Sequence, residues 1–450
     1  MRTRDPPPFG GLKKKAHEAV EACCRELHAF VEAAGTKLTG GRHEDVSWLE
    51  EGLRECSNRG CLRVLLGLLN APGADKGERR AGERCVGRAP RTIHTLFGSG
   101  VLLRKGYQRE GGGIRFPLDK VLGLHRGHTA SRAALLCRAA ARAPFEQAAE
   151  DAKAYTGLPT SGRSLQRLAR QVGGHMEHFL RKDALPEKAT ILPRVYVLMD
   201  GTGAPLRKMD LIGRLGKGPL GEARTHEVKL AALFTQHPRP GENPWRDLDS
   251  TTYVATDERA PAFGSMVRAE FRRRFSRAGE VVVLGDGAPW IDTIAQGHFT
   301  GAIRIVDWYH AAEHVGDLAG FFHAKGSPPW HKLRKRWIGK LWKGKVHAMI
   351  RDARHRLSPA QKEEGEKLLH YFVHNVESMR YDLFRSQGLF IGSGVVESAC
   401  KTVVCQRFKA SGMHWSQPGL KKILSLRTGL LSHRFSEFWE SPESRPQQVA

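Results

Sequence analysis

The amino-acid sequence predicts an α/β core preceded by a mainly helical region, and three observations support this class. Short apolar runs at residues 195–199, 281–284 and 302–306 have the length and composition of buried strands. Before them, apolar residues recur at helical spacing, as in residues 16–34. After them, residues 311–384 are almost entirely helical in character. At 450 residues the chain is long enough for about two to four domains.

Charge narrows the class of partner. The chain has 72 Lys and Arg residues against 47 Asp and Glu, which gives a formal net charge of +25 at pH 7. Such an excess attracts DNA, RNA or an anionic membrane surface, and a nucleic acid is the favoured partner. An arginine-rich composition is also typical of a GC-rich genome, so charge alone leaves the partner open.

Targeting and redox signals point to the cytoplasm. No run of about 18 or more apolar residues is present, so a membrane-spanning helix is not expected. Residues 1–15 are polar and basic and lack the apolar stretch of a signal peptide. The eight cysteines follow no disulfide framework, which is typical of a reducing compartment. We expect a cytoplasmic, nucleoid-associated protein that does not enter a membrane.

The first 90 residues are predicted to form helices followed by a linker. Apolar periodicity favours helices at residues 16–34, 47–53 and 61–70. Residues 71–91 are rich in Gly, Ala, Arg and Glu, a composition typical of a connector.

A small β-ribbon is predicted next, over residues 91–124. Arg91-Thr-Ile-His-Thr-Leu-Phe and Val101-Leu-Leu-Arg-Lys-Gly-Tyr have strand composition and lie on either side of a turn at residues 98–100. A second glycine turn at residues 111–113 precedes Phe116-Pro-Leu-Asp.

A helical block follows, and its last two helices have a helix-turn-helix pattern. Helices are predicted at residues 130–141, 144–155 and 163–180, with a Gly-containing break before the third. The third helix is basic, and the arginines predicted to contact DNA are Arg163, Arg167 and Arg170. The alternative is a pair of packed helices whose arginines are merely solvated.

Two predicted strands each deliver an aspartate into a glycine-rich turn. Residues 195–199 are followed by Asp200-Gly-Thr-Gly, and residues 281–284 by Gly285-Asp-Gly-Ala-Pro-Trp. Two carboxylates at neighbouring strand ends repel each other unless a cation lies between them. Mg²⁺ suits such a site because it prefers oxygen ligands and keeps waters for the substrate. Taken singly, Asp200 or Asp286 is equally well interpreted as a turn or helix-cap aspartate.

The third candidate acid is Glu397, in Gly392-Ser-Gly-Val-Val-Glu-Ser. Its position in the first turn of a predicted helix favours a carboxylate, so a plain capping-box glutamate is the alternative. Basic and aromatic residues follow, which suit a DNA backbone and an unstacked base. An amphipathic, solvated helix is the simpler account of the same residues. The downstream residues predicted to contact DNA are Lys401, Arg407, Lys409 and Trp415.

A fourth polar element is Val306-Asp-Trp-Tyr-His-Ala-Ala-Glu-His. Asp307 and His310 share a helix face at a spacing of three residues, and we expect them to act as auxiliary groups near the metals. Zinc binding together with Glu313 and His314 is a weaker alternative because further ligands are missing. A buried, hydrogen-bonded core pair is the other.

Together these motifs resemble bacterial insertion-sequence transposases of the ISKra type, which are related to the Mutator-like group. The resemblance extends from about Arg91 to Trp439 and includes Thr225-His-Glu-Val-Lys-Leu and Asp249-Ser-Thr-Thr-Tyr-Val besides the acidic motifs. It implies an RNase H-like catalytic core with an all-helical insertion. It also implies that Asp200, Asp286 and Glu397 are a catalytic triad that binds two Mg²⁺ or Mn²⁺ ions. Many relatives carry paired cysteines where this chain has Gly106-Tyr-Gln-Arg-Glu-Gly-Gly-Gly, so a zinc-bound ribbon is not expected and packing alone would hold it.

The expected domains follow from these elements. They are an N-terminal helical region and linker at 1–90, a β-ribbon at 91–124, a helix-turn-helix domain at 125–190, a first core segment at 191–310, a helical insertion at 311–388, C-terminal core helices at 389–440 and a disordered tail at 441–450.

The function implied is metal-dependent cleavage and strand transfer of double-stranded DNA, by a homodimer or larger assembly that holds two transposon ends. One alternative is a catalytically inactive, domesticated DNA-binding regulator. Another is a nuclease or resolvase that cuts without joining. A third is an actin-like or haloacid-type phosphate enzyme, because Asp200-Gly-Thr-Gly is also able to cradle a nucleotide phosphate.

Overall fold

The protein is a mixed α/β chain with N-terminal helices, a β-hairpin, a six-stranded sheet that contains parallel pairs, and many helices after it. It divides into two compact units, Met1–His175 with Ser436–Ala450, and Met176–Phe435. The computed structural model describes residues 13–37, 44–71, 79–182, 191–216, 221, 223–237, 244–275 and 277–445.

Two long helices open the first unit, α1 (Lys13–Lys37) and α2 (Glu44–Leu69). They approach closely because α2 has glycines where α1 packs on it: a β-carbon at Gly60 would lie 1.9 Å from Sγ of Cys23. The predicted helices at 47–53 and 61–70 are therefore a single helix, in which residues 54–60 continue the turn.

The ribbon consists of β1 (Glu83–Thr95), β2 (Gly98–Arg109) and the short β3 (Ile114–Arg115), all antiparallel. Its turn lies at residues 96–97, so the prediction of a turn at 98–100 was wrong by two residues. β1 also begins inside the stretch predicted to be a linker. One face packs on a small apolar core.

Ion pairs, as well as packing, hold the ribbon. Glu83 is buried and accepts two hydrogen bonds from the guanidinium of Arg115, at 2.8 and 2.5 Å. These bonds, together with the Arg80 N–H, lower the pKa of Glu83 to about 2. Asp119 joins Arg91 and Arg104 in the same way. The expectation that packing alone holds the ribbon was therefore wrong.

The helical block matches its prediction to within about two residues at each end. The three predicted helices are α4 (Ala130–Arg142), α5 (Phe145–Thr156) and α6 (Gly162–Arg181). Helix α3 (Pro117–Val121) leads into the block, and α5 is capped by Gly157, whose φ of 72° is the left-handed conformation typical of glycine. The buried face of α6 carries Leu165, Leu168 and Val172.

The second unit is built on a mixed sheet. Its strands are β4 (Ile191–Pro205), β5 (Thr225–His237), β6 (Trp245–Arg246), β7 (Thr252–Thr256), β8 (Arg277–Gly285) and β9 (Ile303–Val306). The strand order is β6-β5-β4-β8-β9, and β7 also pairs with β5. β5 is antiparallel to β4, β6 and β7, whereas the β4–β8 and β8–β9 pairs are parallel.

Helices bury the centre of this sheet, which explains the uninterrupted apolar run at residues 195–199: every side chain in it is fully buried. One face packs on α8 (Ala260–Phe275) and α9 (Pro289–His298), with Val197 and Met199 in the shared core. The short α7 (Lys208–Leu211) follows β4.

The predicted helical stretch after β9 is confirmed as a run of five helices with short 3-10 turns. Beyond it, α15 (Gly394–Ala399), a π-helical turn (Cys400–Cys405) and α16 (Gln406–Phe408) form one continuous segment that packs on β4. The five helices are α10 (Trp308–Phe322), α11 (Pro328–Trp342), α12 (Val346–Arg354), α13 (Lys362–His374) and α14 (Tyr381–Ser386).

The chain closes with α17 (Gln417–Leu431), α18 (Phe435–Glu440) and a 3-10 turn at Pro442–Ser444. Of the tail predicted to be disordered, residues 446–450 lie outside the described residues. Within the described ranges, none of the helices is both long and apolar enough to cross a membrane.

Candidate functional site

Asp200 lies within strand β4, at the point where the strand loses its parallel neighbour. Pairing with β8 ends at Leu198 and Leu284, whereas pairing with β5 continues to Pro205. The prediction that Asp200-Gly-Thr-Gly forms a turn was therefore wrong. The glycines serve cross-strand packing, since a β-carbon at Gly203 would lie 2.5 Å from Oγ1 of Thr225. The phosphate-cradling turn that an actin-like enzyme would need is absent from residues 200–203.

Asp286 follows strand β8 directly and does enter the predicted glycine turn. Its Oδ1 accepts the Ala288 N–H at 2.9 Å, and Gly287 has a φ of 88°. Tyr371 of α13 donates its hydroxyl to the Asp286 carbonyl at 3.0 Å. A β-carbon at residue 287 would lie 3.0 Å from the Tyr371 ring, so this turn is open only to glycine.

Asp200 and Asp286 lie at the same edge of the sheet and influence each other. Burial, reinforced by the negative charge of Asp286, raises the pKa of Asp200 above its ordinary value. Hydrogen bonds from the Gly201 N–H at 2.7 Å and the Cys400 thiol at 3.4 Å offset this only in part. The arrangement is that of an acidic pair for which a cation would be a stabilising partner.

Glu397 lies in the first turn of α15, as predicted, but it is not a capping-box glutamate. The Ser393 hydroxyl donates to Oε1 of Glu397 at 2.6 Å, and the Ser393 N–H donates to Asp307 rather than to Glu397. Three residues later on the same helix, Cys400 contacts Asp200. Residues three apart share a helix face, so Glu397 lies on the same face of this helical segment as Cys400.

Asp200, Asp286 and Glu397 do not form a complete metal-binding site in this structure. Across the described residues, no group of three or more His, Cys, Asp and Glu side chains is placed to hold a metal ion as it stands. This also disfavours the zinc alternative at Asp307, His310, Glu313 and His314. His314 instead stacks on the ring of Tyr371, with centroids 3.8 Å apart.

Asp307 and His310 form a polar pair beside the acids. Asp307 caps α10, is 0% exposed, and accepts the His310 N–H at 2.8 Å and the His310 ring Nδ1–H at 3.0 Å. Burial would raise the pKa of Asp307, but the bonds from His310 and Ser393 outweigh it and hold that pKa below its ordinary value.

His310 carries a proton at neutral pH as a consequence. Its hydrogen bond to Asp307 raises the pKa of His310 to about 9 against the opposing effect of burial, and the charge of Asp286 adds to the rise. The imidazolium in turn limits the rise in the pKa of Asp200. An intrinsic positive charge thus lies near both Asp200 and Asp286.

Two residues predicted to contact DNA are buried, which corrects that prediction. Arg407 is 0% exposed and its guanidinium lies over the Trp415 ring at 5.0 Å, while Trp415 is 8% exposed and donates Nε1–H to the Phe408 carbonyl. Burial, with the charge of Arg427 added, lowers the pKa of Arg407 to about 10. Arg427 bonds the Thr402 and Val403 carbonyls in the π-helical turn. Arg407, Trp415 and Arg427 thereby stabilise the helical segment that follows Glu397.

The other predicted DNA contacts lie at or near the surface. Lys401 and Lys409 are exposed, and Nζ of Lys409 donates to Oγ1 of Thr202, two residues beyond Asp200. In the first unit, Arg163 and Arg167 are exposed on α6 and Arg170 is half-buried.

Sequence reasoning missed three groups around the acids: Ser393, Cys400 and Tyr371. Ser393 lies in the motif that contains Glu397, and Cys400 lies two residues beyond that motif, where its three-residue spacing from Glu397 was a usable signal. Tyr371 lies 85 residues from its partner Asp286 and gave no local signal.

No model of a known protein family matches the chain, and a comparison with curated proteins finds no match either. What the protein does must be inferred from the arrangement of these side chains.

Proposed function

We propose that the protein is a DNA transposase with an RNase H-like core and an acidic triad, similar to bacterial insertion-sequence transposases of the ISKra type. The observation that carries the proposal is the meeting of Asp200 and Asp286 at one sheet edge, with the Glu397 helix packed against Asp200 through Cys400. On this proposal the three acids, which come from distant parts of the chain, form one site.

The strand arrangement supports the proposed core. An RNase H-like sheet has an antiparallel meander of three strands, extended by two parallel strands on the far side of the first. Here β4, β5 and β7 form the meander, and β8 and β9 add in parallel beside β4. The first acid lies on the first strand of the meander and the second follows the first added strand, as that core requires.

The donor set suits a hard divalent cation. Asp200, Asp286 and Glu397 offer carboxylate oxygens, which are the ligands that such a cation prefers. Burial and the negative charge of Asp286 raise the pKa of Asp200, and a bound cation would offset both effects. The three acids would hold Mg²⁺ or Mn²⁺. When bound, two such ions would lower the pKa of a water or of a 3′-hydroxyl and would stabilise the leaving oxygen.

The chain's own residues bind and orient DNA. Lys401 lies in the π-helical turn that follows the Glu397 helix, and Lys409 lies directly after α16, where both suit the phosphate backbone. The His310 imidazolium, held by Asp307, lies near the acids and offers positive charge to a phosphate. In the first unit, α6 would be the second helix of a helix-turn-helix, and its arginines suit contact with duplex DNA. Holding two transposon ends would require a homodimer or a larger assembly.

Nicking of DNA that carries the element's ends tests the proposal. We expect D200N and E397Q to abolish Mg²⁺-dependent nicking while DNA binding and its salt dependence are retained. Matched controls are D249N and E363Q, which make the same chemical changes at exposed positions. Nicking by D200N at the wild-type rate would refute the triad. Cutting without joining of a labelled 3′ end would identify a nuclease, and binding without cutting by the wild type would identify a regulator.

A further inference from the structure

Ser393 does not behave as the helix cap that its position predicts. A serine at the start of a helix ordinarily accepts an N–H bond from the first turn. The Ser393 side chain makes no such bond, and its hydroxyl donates to Oε1 of Glu397 at 2.6 Å. Its own N–H donates to Oδ2 of Asp307. Ser393 therefore links a fully buried aspartate to the glutamate.

The segment that ends at Ser393 is fixed to the end of the sheet. Trp308 donates its N–H to the Ile391 carbonyl at 2.9 Å, and Asp307 donates its N–H to the Gly285 carbonyl at 2.7 Å. Gly285 immediately precedes Asp286. A continuous path of hydrogen bonds thus runs from the strand end that bears Asp286, through Asp307 and Ser393, to Glu397.

We propose that Ser393 is a positioning residue that holds the Glu397 carboxylate in register with the other acids, an inference that rests on the proposed function. A glutamate side chain has several rotatable bonds, and a half-buried one loses rotamer freedom only when a partner fixes it. The serine hydroxyl has one proton and gives it to Oε1, which leaves Oε2 to take a ligand. The Asp307 carboxylate fixes the position of Ser393 by accepting its backbone N–H.

Mn²⁺ binding to the full-length protein, followed by electron paramagnetic resonance without DNA, tests this role. We expect S393A to weaken the binding that depends on Glu397 by about 10-fold or more, as loss of a partner behind a metal ligand does. S393T keeps the hydroxyl and should bind as the wild type does. S398A removes an exposed serine from the same helix and should also bind normally. In an E397Q background, S393A should have no further effect, because its action passes through that carboxylate.

Three results would overturn the proposal, and they are distinguishable. Wild-type affinity in S393A, with weakened binding in E397Q, removes the positioning role and leaves the acidic site standing. An S393A effect that persists undiminished in the E397Q background shows a merely structural serine. Wild-type affinity in both E397Q and D200N removes the proposed acidic site itself. If S393A does not fold, S393C keeps the size of the side chain with a weaker donor and takes its place.

Discussion

Replacing Asp307 by asparagine removes the charge that holds the proton on His310. Asparagine keeps one carbonyl oxygen for the His310 N–H, but its amide group faces the Ser393 N–H, a donor, where a carboxylate oxygen had been. Asp307 is fully buried and Ser393 nearly so, which means that water does not replace the lost acceptor. We therefore expect D307N to lower the pKa of His310 and the stability of the second unit together.

The size of the effect follows from the pKa of His310, which is about 9 against an ordinary 6.5. At about 1.4 kcal/mol per pH unit, the difference corresponds to at most about 3.5 kcal/mol. The His310 side chain is 37% exposed, so solvent screening reduces this to about 1–2 kcal/mol. Because the folded-state pKa is raised, the contribution is complete below pH 6.5 and is lost as the pH rises through about 9.

Histidine-selective NMR measures the pKa directly, with H310Q to assign the signal. We expect a midpoint near 9 in the wild type and one near or below 6.5 in D307N. In urea unfolding, D307N should lose about 1–2 kcal/mol more at pH 6 than at pH 10. D317N, at an exposed ion pair, should leave the His310 midpoint unchanged. A wild-type midpoint at 6.5, or an equal loss of stability at both pH values, would refute the reasoning.

Two further predictions concern buried groups of the second unit. E270Q breaks a buried pair with Arg434 and should cost about 3–5 kcal/mol in denaturant unfolding, whereas E280Q, at a partly exposed pair, should cost less than about 1 kcal/mol; similar losses in the two variants would contradict this. Burial and the neighbouring Asp200 raise the pKa of the Cys400 thiol, so iodoacetamide at pH 8 should label the exposed Cys24 in the folded protein and spare Cys400 until urea is added. Equal labelling of the two thiols, read by mass spectrometry, would show that Cys400 is not protected.

The strand segment at residues 195–199 was predictable from the sequence because burial on both faces excludes charged side chains from it. The end of this strand was harder to predict. Residues 200–205 contain two glycines and a proline, which locally favour a turn, yet the strand continues through them. The reason is a neighbour on β5, Thr225, which leaves room only for glycine at residue 203. Such crowding depends on pairing with a distant segment, so no local pattern reveals it.

The candidate site was likewise only partly predictable from the sequence. Residue type and position correctly placed Asp286 in a glycine turn and Glu397 in a first helical turn. Charge was a poor guide to exposure. Arg407 is a basic residue of the kind that contacts DNA, but its guanidinium packs on the Trp415 ring and its side chain is buried. The partner of the Ser393 hydroxyl depends on where Asp307 lies in three dimensions, which the spacing of residues along the chain does not encode.

The bonds from residues 391–393 to the end of β9 have a consequence for protein synthesis. When the ribosome has completed α14, both strand-end aspartates and Asp307 have been made, but the segment that supplies the Ser393 N–H has not. Until it emerges, the Asp307 carboxylate lacks one of its donors and the acids lack their glutamate. A nascent or prematurely terminated chain would therefore carry the arginine-bearing helix α6 and both aspartates, but not the segment that holds Glu397.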